Sequence, residues 1–317
     1  MKATVSIEEF ANVTQVETIC RGCGEISFRE KNVNRPGLQI AGFFEHFKSE
    51  RLQVFGQTEV TYLESLPKTC QTAALETFMS YPLAGIVVCR DMPIHKDLIR
   101  LAKEHDIPLF STKMGTSDYI SRTKQYLSYL LAPRETIHAV LVDVLGIGML
   151  IMGDSGIGKS ETALELIRHG HKLVADDAVE LMLLDGGRLV GSAPETVRFL
   201  MEIRGLGIID VRQMFGVSAV LMQKTVGAVV QLEPWETVQQ MGYDRLETEK
   251  RYVDIMGVPV QKIVIPVAPG RNLASIIEIA AQNMRLESMG YHVMDEIEAR
   301  LTEIKRAKNE AKKNETN

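Results

Sequence analysis

Gly153-Asp154-Ser155-Gly156-Ile157-Gly158-Lys159-Ser160 lies near the middle of a chain of 317 residues. Its spacing is a glycine, four free positions, a second glycine, a lysine and a serine, the pattern of a phosphate-binding P-loop. Glycines, lacking a Cβ, let successive backbone N–H groups turn inward as a nest for an anion. Lys159 adds a point charge for the outer phosphates, and Ser160 offers a hydroxyl to Mg²⁺, which bridges phosphate oxygens while keeping several waters. The flanks agree with the motif. Gly148–Met152 reads as an apolar strand entering the loop, and Lys159–Arg168 as a helix leaving it and stopping at Gly170. A chance glycine-rich turn would not carry both. All eight residues from Gly153 to Ser160 are therefore expected to hold the phosphates of a nucleoside triphosphate, with Lys159 as an exposed loop charge.

Working outward, Ile137–Leu145 reads as one strand from its β-branched run. Lys172–Ala175 reads as a short strand ending on Asp176-Asp177. Carboxylates at that end of a strand beside a P-loop face the ligand crevice of an open α/β sheet, so one of the pair is expected to face the outer phosphate. Val179–Leu184, Asp185-Gly186-Gly187 and Arg188–Val190 read as a hairpin, since the glycines supply the positive φ a tight turn needs. Glu202–Gly216 mixes glycine with Glu202, Arg204, Asp210 and Arg212. That segment is either a solvated loop of mutual ion pairs or a loop facing phosphate or metal. Val217–Leu221 and Val226–Leu232 have buried-strand patterns, as does Val260–Val267. Trp235–Lys250 is polar, and its composition alone makes Arg245 an ordinary surface charge. Asn272 is placed to cap a helix running to Met289, with Gly290 just past its end.

The length suits two domains, with Ala132-Pro133-Arg134 as the boundary: residues 1–132 as an α/β unit and residues 133–317 as the P-loop unit. In the first, Gly85–Cys89 and Ile107–Phe110 read as strands, and Lys96–Glu104 and Thr116–Leu131 as helices. Asn34-Arg35-Pro36-Gly37 is a turn signal, followed by Phe43, Phe44 and Phe47 at the spacing of a helix's core face. Apolar content of 45% with 24% charged residues is ordinary for a globular protein, and a net charge of −5 gives no hint of nucleic acid or acidic membrane as a partner. No apolar run reaches the ~18 residues of a membrane span, and the N-terminus lacks a secretory pattern, so a cytoplasmic chain is expected. Cys20, Cys23, Cys70 and Cys89 lack the spacing of a zinc site and read as incidental thiols.

With these residues laid out, the chain resembles the HPr kinase/phosphorylase family over nearly its whole length. The resemblance rests on Asn34–Gln39, Ile137-His138 with Leu141–Asp143, Gly153–Glu161, Val174–Val179, Glu202–Asp210 and Gly270–Leu273. It implies an N-terminal α/β domain, and a C-terminal P-loop catalytic domain like the core of phosphoenolpyruvate carboxykinase. It also implies a bifunctional enzyme acting on a serine of the phosphocarrier protein HPr. ATP, or pyrophosphate in some members, drives phosphorylation; inorganic phosphate drives the reverse step and releases pyrophosphate. By the family's motifs, Asp177 would take the serine proton in one direction and return it in the other, with His138 beside it. Ser160 and Glu202 would address Mg²⁺. Arg245 and the loop Pro266–Arg271 would bear more on dephosphorylation, although Ala268 stands where the family usually carries a basic residue. The resemblance further implies a homohexamer assembled through the catalytic domain.

Two other readings fit the P-loop. A kinase of a small metabolite would explain the loop and Asp177 equally well, but normally needs a lid with convergent arginines, which the sequence lacks. A nucleotide-dependent switch would not need the charged segment at residues 202–212.

Overall fold

The computed structural model describes residues 2–240, 250–293, 297 and 300–304. The chain divides into two compact units, Met1–Pro133 and Arg134–Asn317.

In the first unit, a four-stranded sheet runs in the order Glu17–Cys20, Leu109–Ser111, Ile86–Val88, Gln53–Phe55. The last three strands are parallel and the first is antiparallel. Parallel strands are covered on both faces and so read as unbroken apolar runs. The side chains still alternate. Phe55, Ile86, Val88 and Leu109 meet Val60, Leu63, Phe78 and Leu98 from the helices Gln57–Ser65, Lys68–Met79 and Lys96–Glu104. Val54, Val87 and Phe110 meet Phe10, Tyr119 and Leu127 on the other face. The turn at Asn34 is a structural device. Asn34 donates to Gln53 at 2.8 Å, and Arg35 pairs with Glu59 at 2.9 Å. Glu59 in turn accepts from the Gly56 backbone at 2.9 Å and caps the helix that follows the strand, an interaction worth about 1 kcal/mol. The aromatics behind this turn depart from expectation. The helix there is only Gly37–Ile40, and Gly42, at φ 91°, lies just beyond its end. Phe43 is exposed, while Phe44 stacks on Tyr81 from irregular chain.

The second unit is built on a nine-stranded mixed sheet. At its centre Ile147–Met152, Gln223–Pro234 and Val258–Val267 run parallel. Val140–Val144 and then Lys172–Ala175 extend it antiparallel on one side, and Arg251–Ile255 on the other. Arg134–His138 joins the hairpin of Ala178–Leu184 and Arg188–Ser192, which attaches to the start of Gln223–Pro234. The helices Lys159–Arg168 and Leu273–Ser288 cover one face, where Val142, Ile151, Leu166, Val230 and Ile277 are buried. Leu141, Leu150, Val179 and Val229 fill the opposite face. Each fully buried aliphatic side chain of this kind contributes about 1.5–3 kcal/mol.

Two strand expectations change. Ile137–Leu145 is broken at Ala139, whose N–H donates to the carbonyl of Asp177 at 3.2 Å. Its halves lie beside different neighbours, His138 opposite Ala178 and Val140 opposite Ile151. Val217–Leu221 is no strand: Gly216 at φ 88° leads into a turn of 3-10 helix at Val217–Ala219, and Val217 is exposed. The expected cap does form, with the Asn272 side chain accepting from Ser275 N–H at 2.8 Å. Among the described residues, no helix is long and apolar enough to cross a membrane.

Candidate active site

The strand Ile147–Met152 delivers the chain into the loop at Gly153, and the backbone there explains the glycines. Gly153 has φ 149°, Gly156 86° and Gly158 101°. A Cβ on Gly153 would stand 2.7 Å from the carbonyl oxygen of Leu232 on the neighbouring strand. Lys159 is buried rather than an exposed loop charge. Its Nζ donates to the carbonyls of Gly153 at 2.9 Å and Asp154 at 3.0 Å. An ammonium has three donors, so one remains for a phosphate oxygen. The loop's own carbonyls thus hold the cation in place before any ligand arrives.

The two adjacent carboxylates divide the work. Asp176 is 6% exposed; it accepts from Ser160 Oγ at 2.8 Å and from Glu202 N–H at 3.2 Å. Burial pushes its pKa up, against those two hydrogen bonds, which favour the ionised form. Asp177 faces solvent, with its backbone in the left-handed region at φ 65°. Its Oδ1 lies 2.9 Å from His138 Nδ1. The pairing of Ala178 with His138, and the bond from Ala139 to the Asp177 carbonyl, fix both partners on neighbouring strands. The strand break that the β-branched run concealed is therefore what presents His138.

These groups surround a cavity of about 190 Å³, which His138, Lys159, Ser160, Asp176, Asp177 and Glu202 all line. Ser155, Gly156 and Gly158 line it too, while Gly153 and Asp154 act through Lys159 and Ile157 packs into the core. Arg245 lies outside the described residues. From sequence, Arg204 is one of four charges in a segment that faces either solvent or a phosphate or metal, with no role separate from the other three. A Cβ on Gly156 would stand 2.5 Å from the Arg204 guanidinium, which therefore lies directly against the P-loop. The other charges of that segment are occupied locally: Asp210 caps the helix Val211–Phe215 by accepting from Gln213 N–H at 2.9 Å, and Arg212 lies over the Phe199 ring. Arg204 and Glu202 alone of the four line the cavity. A glycine in the middle of the loop, with an arginine two residues beyond Glu202, was the available signal.

Arg271 marks a neighbouring edge. The three parallel strands end at Met152, Pro234 and Val267, with Pro234 and Val267 in register. Just beyond, Arg271 donates to the Pro266 carbonyl at 3.2 Å and lies over the Trp235 ring, 5.9 Å from its centroid.

A glycine nest, a buried lysine, a serine bonded to a buried aspartate, and a second aspartate paired with histidine together define a phosphoryl-transfer enzyme of the P-loop class. The sequence matches the HPr Serine kinase C-terminal domain over residues 129–301 and the HPr Serine kinase N terminus over residues 5–127. The chain belongs to the HPr serine kinase family. It is 46% identical over 298 residues to the HPr kinase/phosphorylase of Caldanaerobacter subterraneus subsp. tengcongensis, covering 94% of this chain and 97% of that one. To the HPr kinase/phosphorylase of Peptoclostridium acidaminophilum it is 45% identical over 289 residues, 91% of this chain and 93% of the relative. The solved Hpr(Ser) kinase/phosphatase from Coxiella burnetii aligns at 38% identity with a TM-score of 0.46, over 51% of this chain and 98% of that one.

Proposed function

We propose that the chain phosphorylates a serine of HPr with ATP and removes that phosphoryl group with inorganic phosphate, releasing pyrophosphate. The observation that carries this reading is the His138–Asp177 pair at 2.9 Å on the rim of the P-loop cavity. A carboxylate facing outward from a phosphate cradle suits a hydroxyl presented by another macromolecule.

In the kinase direction, Asp177 takes the proton as the serine oxygen bonds to the γ-phosphorus and the bond to the ADP oxygen breaks. His138 occupies Oδ1, which aims the carboxylate and leaves its other oxygen for the proton. Lys159 and the loop N–H groups hold the charge that moves onto the leaving diphosphate. In the reverse direction, protonated Asp177 gives the proton back to the serine oxygen while a phosphate oxygen takes the phosphoryl group. Arg204 and Arg245 are the cations for the second anion, with Arg271 at the neighbouring strand end.

Ser160, Asp176 and Glu202 are the groups that would hold Mg²⁺. They are hard oxygen donors, and no described cluster of three or more His, Cys, Asp or Glu is arranged as a metal site. That combination suits an ion held by one or two carboxylates together with substrate phosphates. When bound, the ion neutralises charge on the phosphate oxygens.

The test is intact mass of purified HPr after incubation with the chain, ATP and Mg²⁺, then again after phosphate is added. Gain and then loss of one phosphoryl group, with pyrophosphate released, is expected; HPr unchanged in the first step overturns the reading. Kinship of the catalytic core with phosphoenolpyruvate carboxykinase, hexameric assembly through that core, a cytoplasmic location and pyrophosphate as alternative donor belong to the same proposal. Light scattering of the purified chain tests the hexamer.

A further inference from the structure

The first unit has a crevice of its own, of about 570 Å³. That is the size of small-molecule pockets, roughly 300–1,000 Å³. It opens beyond the carboxyl ends of the adjacent parallel strands Gln53–Phe55 and Ile86–Val88, where open α/β sheets receive ligands. Its wall is apolar, with Phe55, Val60, Leu63, Val88 and Ile94 contributing.

The rim is polar and already ordered. Asp97 N–H donates to His95 Nδ1 at 3.2 Å, and the other ring nitrogen of His95 lies 2.9 Å from Gln71 Oε1. Gln71 Nε2 donates in turn to the Leu66 carbonyl at 2.8 Å. Thr72 Oγ1 donates to Asp97 Oδ2 at 2.7 Å, and Arg100 lies 3.4 Å from the other oxygen. Asp97 is thereby held by Thr72, which also lines the crevice, and by Arg100, whose guanidinium pairs with Glu104 at 3.0 Å and Glu76 at 3.6 Å as well. Lys68 and Lys96, both exposed on the rim, take part in no ion pair among the described residues. Two carboxylates of the lining, Glu64 and Asp97, balance these two ammonium groups in number, but Asp97 is engaged by Thr72 and Arg100, which leaves Lys68 and Lys96 without an ion-pair partner among the described residues. An apolar wall below an ordered rim that carries these two unpaired ammonium groups is complementary to a compact apolar body with an anionic end.

We propose that this crevice binds a small organic anion, a molecule with a ring or short aliphatic body and a carboxylate, sulfonate or phosphate head. Every residue that lines it belongs to the first unit, and none of them takes part in the reaction proposed for the P-loop.

The probe is 1-anilinonaphthalene-8-sulfonate, titrated against the full chain with ADP and Mg²⁺ present to fill the P-loop, and followed by dye emission. N-phenyl-1-naphthylamine, the same body without the sulfonate, is titrated in parallel. The expected result is a saturable site that prefers the anion by about tenfold or more. K68Q/K96Q, two exposed positions, should weaken it by a similar factor, and I94W should block it, with circular dichroism reporting the fold of each. Binding that is unchanged in K68Q/K96Q overturns the proposal whether or not I94W folds. So does equal affinity for the neutral dye.

Discussion

At the carboxyl ends of Gln53–Phe55 and Ile86–Val88 in the first unit, and of Ile147–Met152 in the second, the chain leaves a parallel strand and turns toward a helix. Both turns border a crevice. In the first unit, Gly56 precedes a helix and its own buried N–H is met by Glu59 from the helix's first turn, so the polar groups at the strand end satisfy one another. In the second, Gly153, Gly156 and Gly158 hold the loop open, Lys159 is anchored to loop carbonyls, and Asp177 is turned outward by a left-handed backbone. The α/β topology provides a crevice at the strand ends, and a few side chains decide what becomes of it. Single substitutions at the second crevice should therefore remove the reaction and leave the fold.

The largest effect is expected at Asp177→Asn. The amide keeps the shape but takes no proton, so both directions should fall together, by about 10²–10⁴-fold. Rates of HPr phosphorylation and of phospho-HPr phosphorolysis on one preparation check this. A fall in one direction alone would place the proton elsewhere, and Asp176, bonded to Ser160, would be the first residue to examine.

Lys159→Ala should cost the kinase direction about 10²–10³-fold, the scale of losing one preorganised charge at the reacting phosphate. Here burial alters the expectation. Because Nζ is bonded to the Gly153 and Asp154 carbonyls, the variant also leaves two acceptors unmet, and thermal unfolding should show a modest loss of stability. A variant with normal kinase turnover would remove the P-loop from the mechanism and erase the contrast between the crevices.

Arg245→Ala should act unevenly. ATP brings a nucleoside and a chelated triphosphate, whereas inorganic phosphate arrives without a handle and must be held beside a second anion. Two like charges 4 Å apart repel by about 4 kcal/mol at the dielectric of a protein surface, which calls for an extra cation. Phosphorolysis should fall by about 10- to 100-fold, the worth of a charge-assisted hydrogen bond, and kinase activity much less. Equal losses in both directions would make Arg245 a general docking residue.

His138→Ala should cost about tenfold in both directions, since a hydrogen bond to a charged group contributes about 1.5 kcal/mol. The single-sequence reading reached His138 only through the family's motif, and the reason is physical. Its position depends on a strand break created by the bond between Ala139 and Asp177, residues distant in the chain. Local pattern sees Ile137–Leu145 as one β-branched run. The P-loop was legible because a strand, a glycine turn and a helix are all local. So were the hairpin at Asp185–Gly187 and the cap at Asn272. Arg204 was not, because its place against Gly156 is made by a hairpin folding back over the loop. Val217–Leu221 misled for the opposite reason: its β-branched residues are ordinary for a strand, but Gly216 turns Val217–Ala219 into 3-10 helix and leaves Val220 to bridge Leu173 of the sheet.

The smallest effect, and one confined to stability, is expected at Asp176→Asn in the ligand-free chain. Asp176 is buried, and burial raises its pKa above the ordinary carboxylate value. The folded chain therefore holds this proton more tightly than the unfolded chain does. By linkage, the contribution is fully present below the unfolded value, about 3.9, and is lost as pH rises through the raised folded value. At neutral pH the ionised carboxylate is a cost that the fold bears for the site. Asparagine can meet the same partners, its carbonyl accepting from Glu202 N–H and its amide donating to Ser160 Oγ. It carries no charge to desolvate. The variant should unfold at a temperature about 2–4 °C higher near pH 7, the shift that about 1 kcal/mol gives a unit of this size. The gain should shrink as pH is lowered toward the ordinary carboxylate range. ATP and Mg²⁺ should reverse the order, because the wild-type carboxylate then has a cation to face. Melting curves between pH 4 and pH 8, with and without nucleotide, read both trends. A ligand-free variant that melts below wild type at neutral pH would mean that the bonds from Ser160 and Glu202 outweigh desolvation. The active-site carboxylate would then stabilise the fold, as Glu59 does at the first unit's strand end.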